Sequence, residues 1–218
     1  MHRFAFLMLM ACAGLAFAQP DPFLDQAASQ YRAILARASA IGELDHDRAL
    51  LDRVRQISAG LIAAAGKTRP STAAWSWEIH VTSEPSATAF CMAGGKLLVG
   101  ARFARRLELT DGELAMLLAH EMAHALAGHR RERARGDMES DAAGEIREKR
   151  IAVMQENEAD EIGMKLALRA GWPPASLVSF YDKLAALESP GELNSSHSPA
   201  AQRAEAAREL AEIGRAHV

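Results

Sequence analysis

His120 and His124 stand four residues apart with Glu121 beside the first, in the run His120-Glu121-Met122-Ala123-His124. On an α-helix a four-residue step advances about 6 Å and a little over one turn, so both imidazoles face the same way and can share one ion. Glu121 falls about 100° further round, close enough to take a proton from a water activated there. The H-E-x-x-H pattern predicts a zinc hydrolase.

Two buried histidines on an ordinary core helix are the competing reading, and the neighbouring residues decide between them. From Leu114 to Leu126 the side chains are Leu, Ala and Met almost all round, with His120, Glu121 and His124 the polar exceptions. A helix with no solvated face buries charge and imidazole at a cost that a bound cation offsets. Thr110-Asp111-Gly112-Glu113 fits a capping box at its start and Gly128 fits its C-terminal stop.

A catalytic zinc has three protein ligands and an open position, so a third ligand is required. The extended pattern H-E-x-x-H-x-x-G-x-x-H fails here, because Ala127 and Arg130 occupy its last two defined positions. His129 is one residue out of place and reads as a helix-end histidine. A carboxylate from a following helix is the other solution, and Glu156-Asn157-Glu158-Ala159-Asp160 offers one. Glu156 and Asp160 share a helix face, so one can bind zinc while the other orients a ligand imidazole; Glu158 points elsewhere. A solvated acidic face has the same spacing, which leaves both readings open.

The elements that must position these residues are mainly helical. Residues 24–65 read as one or two amphipathic helices with Gly42 and Gly60 as breaks. Strands are expected over Trp75 to Val81, Ala87 to Met92 and Lys96 to Val99, with Ala93-Gly94-Gly95 as a hairpin turn. Beyond them the chain is helical nearly to its end. Residues 130–150, of mixed charge with Gly136 and Gly144, read as a solvated connector or a substrate-gating lid. The expected class is α+β, mostly helical, with a small antiparallel sheet of about three strands beside a zinc-binding helix pair.

His2 and Arg3, the apolar run Phe4 to Phe17 and the Ala16-Phe17-Ala18 site read as an export signal over residues 1–18. Residues 19–218 then form one domain. The run is too short to span a bilayer. Leu9-Met10-Ala11-Cys12 also resembles a lipoprotein cleavage box, which would tether the protein to a membrane surface. Without residues 1–18 the chain carries 24 basic residues, Arg3 having left the 25, against 28 acidic ones, and nothing suggests nucleic acid. Cys91 is then the one remaining cysteine, so no internal disulfide can form.

H-E-x-x-H followed by Glu156-Asn157-Glu158-Ala159-Asp160-Glu161-Ile162-Gly163 resembles the gluzincin metallopeptidase family M48, which includes the HtpX, Oma-type, BepA and LoiP proteases. The resemblance extends upstream through Ala89 to Val99, similar to an N-A-F-x-x-P-G-G strand pair. Downstream it covers Ser196-His197-Ser198-Pro199 with Arg203, and in all about residues 75–205. It implies one zinc ion held by His120, His124 and Glu156, Glu121 as general base and Asp160 behind a ligand. It places His197 and Arg203 near the site, as regulators or stabilisers of developing charge. It also makes Ala87 to Met92 an edge strand on which an extended polypeptide substrate can pair. Ala93 stands where the family has Pro, Ala152-Val153 where it has Ser-Arg, and Ser198 separates His197 from Pro199; none removes a ligand or the base. The missing membrane helices point to the exported, soluble branch.

The expected activity is a zinc metalloendopeptidase of the bacterial periplasm or cell envelope, acting on misfolded or unassembled envelope proteins. A zinc-stabilised chaperone or assembly factor that binds extended segments without cutting is the alternative. A helical structural protein with a chance motif is the third reading.

Overall fold

The computed structural model describes residues 21–136, 142–187 and 200–216; the segment 1–18 read as an export signal, Cys12 and His197 lie outside these residues. Two helices come first, α1 (Pro22–Ala40) and α2 (Arg48–Thr68). Each starts on an aspartate whose side chain accepts a backbone N–H of the first turn: Asp21 from Phe23 at 3.0 Å and Asp47 from Leu50 at 3.1 Å. Strands β1 (Glu78–Thr82), β2 (Ala89–Met92) and β3 (Lys96–Gly100) follow a short 3-10 turn. The helices α3 (Ala101–Arg106), α4 (Asp111–Ala127), α5 (His129–Gly136), α6 (Ala142–Arg169), α7 (Pro174–Leu187) and α8 (Ala200–Ala216) complete the order.

The helical α+β class and the three strands are as expected, but the sheet is mixed and not antiparallel. Its order is β1-β3-β2, with β1 parallel to β3 and β2 antiparallel on the other side. The Ala93–Gly95 turn joins β2 to β3 as a hairpin, while residues 83–88 carry the chain past the end of β3 to the far edge. Every residue of β3 is buried, which suits a central strand flanked on both edges. Alternation of apolar residues reveals strands and their faces and says nothing of their order.

The two edges of the sheet differ. Outside β1, Leu44 bridges Thr82, and Asp45 donates its backbone N–H to Val81 O at 2.7 Å and accepts the Val81 N–H on its carboxylate at 2.9 Å. That edge is covered. The outer edge of β2 has no strand partner among the described residues. One face of the sheet carries α1, where Tyr31 packs with Met92 and Leu98 and donates its hydroxyl to Leu97 O at 2.6 Å. The other face holds the main core, where Val81, Leu97 and Val99 meet Leu51, Val54 and Leu61 of α2 and Leu114 and Leu118 of α4. Each such side chain contributes about 1.5–3 kcal/mol by leaving water.

One expectation needs correction. Gly60 lies inside α2, on an exposed position where it costs helix stability without ending the helix. Residues 130–136 and 142–150 are helical, in keeping with a chain expected to be helical nearly to its end; their Arg, Glu, Ala and Lys are strong helix formers whose propensity outweighs the two glycines.

The start of α4 is fixed as expected. Glu113 and Thr110 form a reciprocal capping box, with the Thr110 N–H donating to Glu113 Oε2 at 2.7 Å. The same buried carboxylate accepts Ser179 Oγ at 2.6 Å and Lys183 Nζ at 2.8 Å, tying α4 to α7. Burial raises the Glu113 pKa, but Lys183, Ser179 and Thr110 together outweigh it and hold it at about 2. Because the folded value is depressed, its stabilisation is fully present above the ordinary value near 4.5 and is lost as pH falls toward 2. Glu113→Gln should therefore lower stability by about 1–3 kcal/mol near neutrality. The gap from wild type should close between about pH 5 and 2, as read by denaturant unfolding at several pH values.

Candidate metal centre

His120, Glu121 and His124 sit on α4, which is buried nearly all round; His120 is buried while Glu121 and His124 are half-buried. α6 crosses α4 at this level. A Cβ at Gly163 would stand 2.9 Å from His120 N and 3.0 Å from its Cα, so only glycine lets the two backbones approach so closely. Glu156 and Asp160 share the Gly163 face of α6 at spacings of seven and three, and are delivered onto the histidines by this approach.

The two Nε2 atoms lie 3.1 Å apart, with Glu156 Oε2 3.3 Å from that of His120 and Oε1 3.4 Å from that of His124. One ligand atom from each of the three residues can be chosen so that all lie within 4.8 Å of one another. A tetrahedral ion with bonds of about 2.0–2.1 Å separates its ligand atoms by about 3.3–3.4 Å, so the set fits a zinc-sized cation. Behind His120, Asp160 Oδ1 lies 2.9 Å from Nδ1 and accepts its proton, which leaves Nε2 turned toward Glu156. Asp160 in turn accepts Arg203 Nε and Nη2 at 2.7 Å each and the Tyr181 hydroxyl at 2.7 Å.

Electrostatics show what this pocket lacks. Burial opposes a charged His120, but Asp160 and then Glu156 outweigh it and raise its pKa to about 9. Burial also raises Asp160, yet Arg203 and His120 bring it down to about 2. His124 is lowered, by burial first, against the pull of Glu156. The pocket thus calls for added positive charge, which a proton on His120 or a cation among the three residues supplies. The Glu121 carboxylate adds to the pull on His120 and, after burial, is the largest influence raising the Cys91 thiol pKa.

Comparison with known proteins finds a match over the segment that contains α4. The model of peptidase family M48 matches residues 50–141, which include His120, Glu121 and His124. That segment resembles peptidase family M48. The mitochondrial metalloendopeptidase OMA1 of Arabidopsis thaliana is 28% identical over 147 residues, 59% of this chain and 30% of that protein. Its namesake from Schizosaccharomyces pombe is 44% identical over 59 residues, 26% of this chain and 17% of that one. The human protein is 35% identical over 82 residues, 37% and 15% of the two chains. The alignments thus cover less than a third of each relative's length.

The structure brings His120, His124, Glu156 and Asp160 together. Glu156 and Asp160 lie beyond the matched segment yet reach both histidines, while His197 falls among residues 188–199, outside the described residues. Glu158 leaves the shared face, as expected. Arg203 lies near the site, but its guanidinium stands on the Nδ1 side of His120, 3.4 Å away and away from the Nε2 cluster. Two neighbours were not placed at the site by the sequence. Tyr181 comes from α7 and could be found only from the packing of that helix. His129 is buried against His124, because Gly128 at φ +82 ends α4 in a left-handed turn and folds the next residue back.

Proposed function

We propose that this chain is a zinc-dependent endopeptidase, with one ion held by His120, His124 and Glu156. The observation that carries this reading is the 3.1–3.4 Å spacing of two imidazole nitrogens and two carboxylate oxygens in a site that demands positive charge. When bound, zinc supplies a Lewis acid that makes a water more acidic and polarises a carbonyl. Glu121 takes the proton as water attacks the scissile carbonyl and passes it to the leaving amine. Asp160 holds His120 in the tautomer that presents Nε2, and Arg203 with Tyr181 holds Asp160. Arg203 acts by that bracing, and His197 is assigned as a regulator or a stabiliser of developing charge.

An extended polypeptide would pair with the uncovered edge of β2, beside Glu121, and leave the cleft at both ends. That arrangement favours internal cleavage over trimming. The substrates proposed are misfolded or unassembled proteins of a bacterial cell envelope. The leader-like residues 1–18 support export, with lipid anchoring through Cys12 as a variant that would hold the enzyme at a membrane surface. Among the described residues no helix is long and apolar enough to cross a membrane.

Removal of metal tests the proposal. Dialysis against a chelator should stop cleavage of casein, and one equivalent of zinc should restore it. Undiminished cleavage by the chelated protein contradicts the assignment, and protection of a misfolded client without fragments favours the chaperone alternative.

A further inference from the structure

We infer that His129 is a positioning residue, holding His124 in the tautomer and ring orientation needed at the metal through two hydrogen bonds that end on Glu158. The inference deepens the proposed function and rests on His124 being a ligand. His124 presents Nε2 to the cluster, and a ligand nitrogen must be unprotonated. The proton of its neutral ring is therefore on Nδ1. That Nδ1 lies 2.9 Å from Nδ1 of His129, with the rings 5.0 Å apart and inclined at 75°. His129 must then offer a bare Nδ1 as acceptor and carry its own proton on Nε2. Glu158 Oε2 lies 3.3 Å from that Nε2 and accepts it.

Each histidine of the cluster thus has a partner at Nδ1, but the partners differ in charge. Asp160 is an anion behind His120, while the group behind His124 is a neutral ring only 1% exposed, out of reach of a replacing water. Glu158 is 56% exposed on its side chain, so the second bond is the weaker of the two. A ring that keeps its Nδ1 partner loses less freedom when metal binds, and outer partners of this kind are worth about 10–100-fold in metal affinity.

The test compares His129→Leu, which has no acceptor, with His129→Asn, whose Oδ1 takes the place of Nδ1. Zinc affinity is read by competition with a chromophoric chelator, and fold by circular dichroism. His129→Leu should bind zinc about 10–100-fold more weakly, and His129→Asn should stay within about threefold of wild type. Long-range proton–nitrogen NMR of the zinc-loaded wild type should show His124 protonated on Nδ1 and His129 on Nε2. This signature decides the matter if His129→Leu does not fold. The inference is overturned if His129→Leu binds as tightly as wild type, if both variants weaken equally, or if His129 carries its proton on Nδ1. Wild type that binds no zinc overturns the ligand role of His124 as well, whereas tight wild-type binding with an indifferent His129→Leu overturns the positioning role alone.

Discussion

Glu121→Gln is expected to cut casein cleavage by about 10²–10⁴-fold while leaving fold and zinc content unchanged. The amide matches the carboxylate in size, so α4 packs as before, and Glu121 lies outside the set of three ligating groups. What is lost is a base able to receive a proton and return it. Glu121 is half-buried, and its charge acts on both His120 and Cys91 of β2. Initial rates on unfolded casein, with zinc per chain measured on the same sample, check the expectation. Full activity in this variant removes Glu121 from the mechanism.

Asp160→Asn is expected to damage both the fold and metal binding. The carboxylate is where α4, α6, α7 and α8 converge, through His120, Tyr181 and a two-pronged bond to Arg203. An amide keeps the shape but points an N–H₂ at one of those donors and leaves the buried guanidinium without its anion. Breaking a buried pair from one side costs about 3–5 kcal/mol. Losing the acceptor at His120 Nδ1 lowers zinc affinity about 10–100-fold. Replacing both partners, Asp160→Leu with Arg203→Met, should restore much of the stability and none of the metal affinity. Denaturant unfolding and chelator competition measure the two losses separately. A variant as stable as wild type with unchanged affinity contradicts the role given to Asp160.

The parts of the site legible in the sequence were those set by spacing along one helix. His120 and His124, and then Glu156 and Asp160, each fall four apart, and that period fixes which side chains share a face. The bounds of α4 were equally plain, since Thr110, Glu113 and Gly128 satisfy backbone groups locally. What depends on how elements meet was not legible. The parallel pairing of β1 with β3 follows from a crossover that leaves no mark in alternation. Tyr181 and Arg203 reach Asp160 only because α7 and α8 pack behind α6. His129 does stand at a helix end, but its contact with His124 was not legible, because a left-handed glycine reverses the direction that helical spacing implies. The Gly163 contact, in contrast, turned Glu156-x-x-x-Asp160 from an ambiguous acidic face into one that meets the histidines.

Elemental analysis of purified chain tests the central claim most directly. Wild type should carry about one zinc per chain, and His120→Ala and Glu156→Ala should each carry well under a tenth of that at the same free zinc concentration. Zinc absent from folded wild type, or retained in full by Glu156→Ala, contradicts a centre built from those three residues.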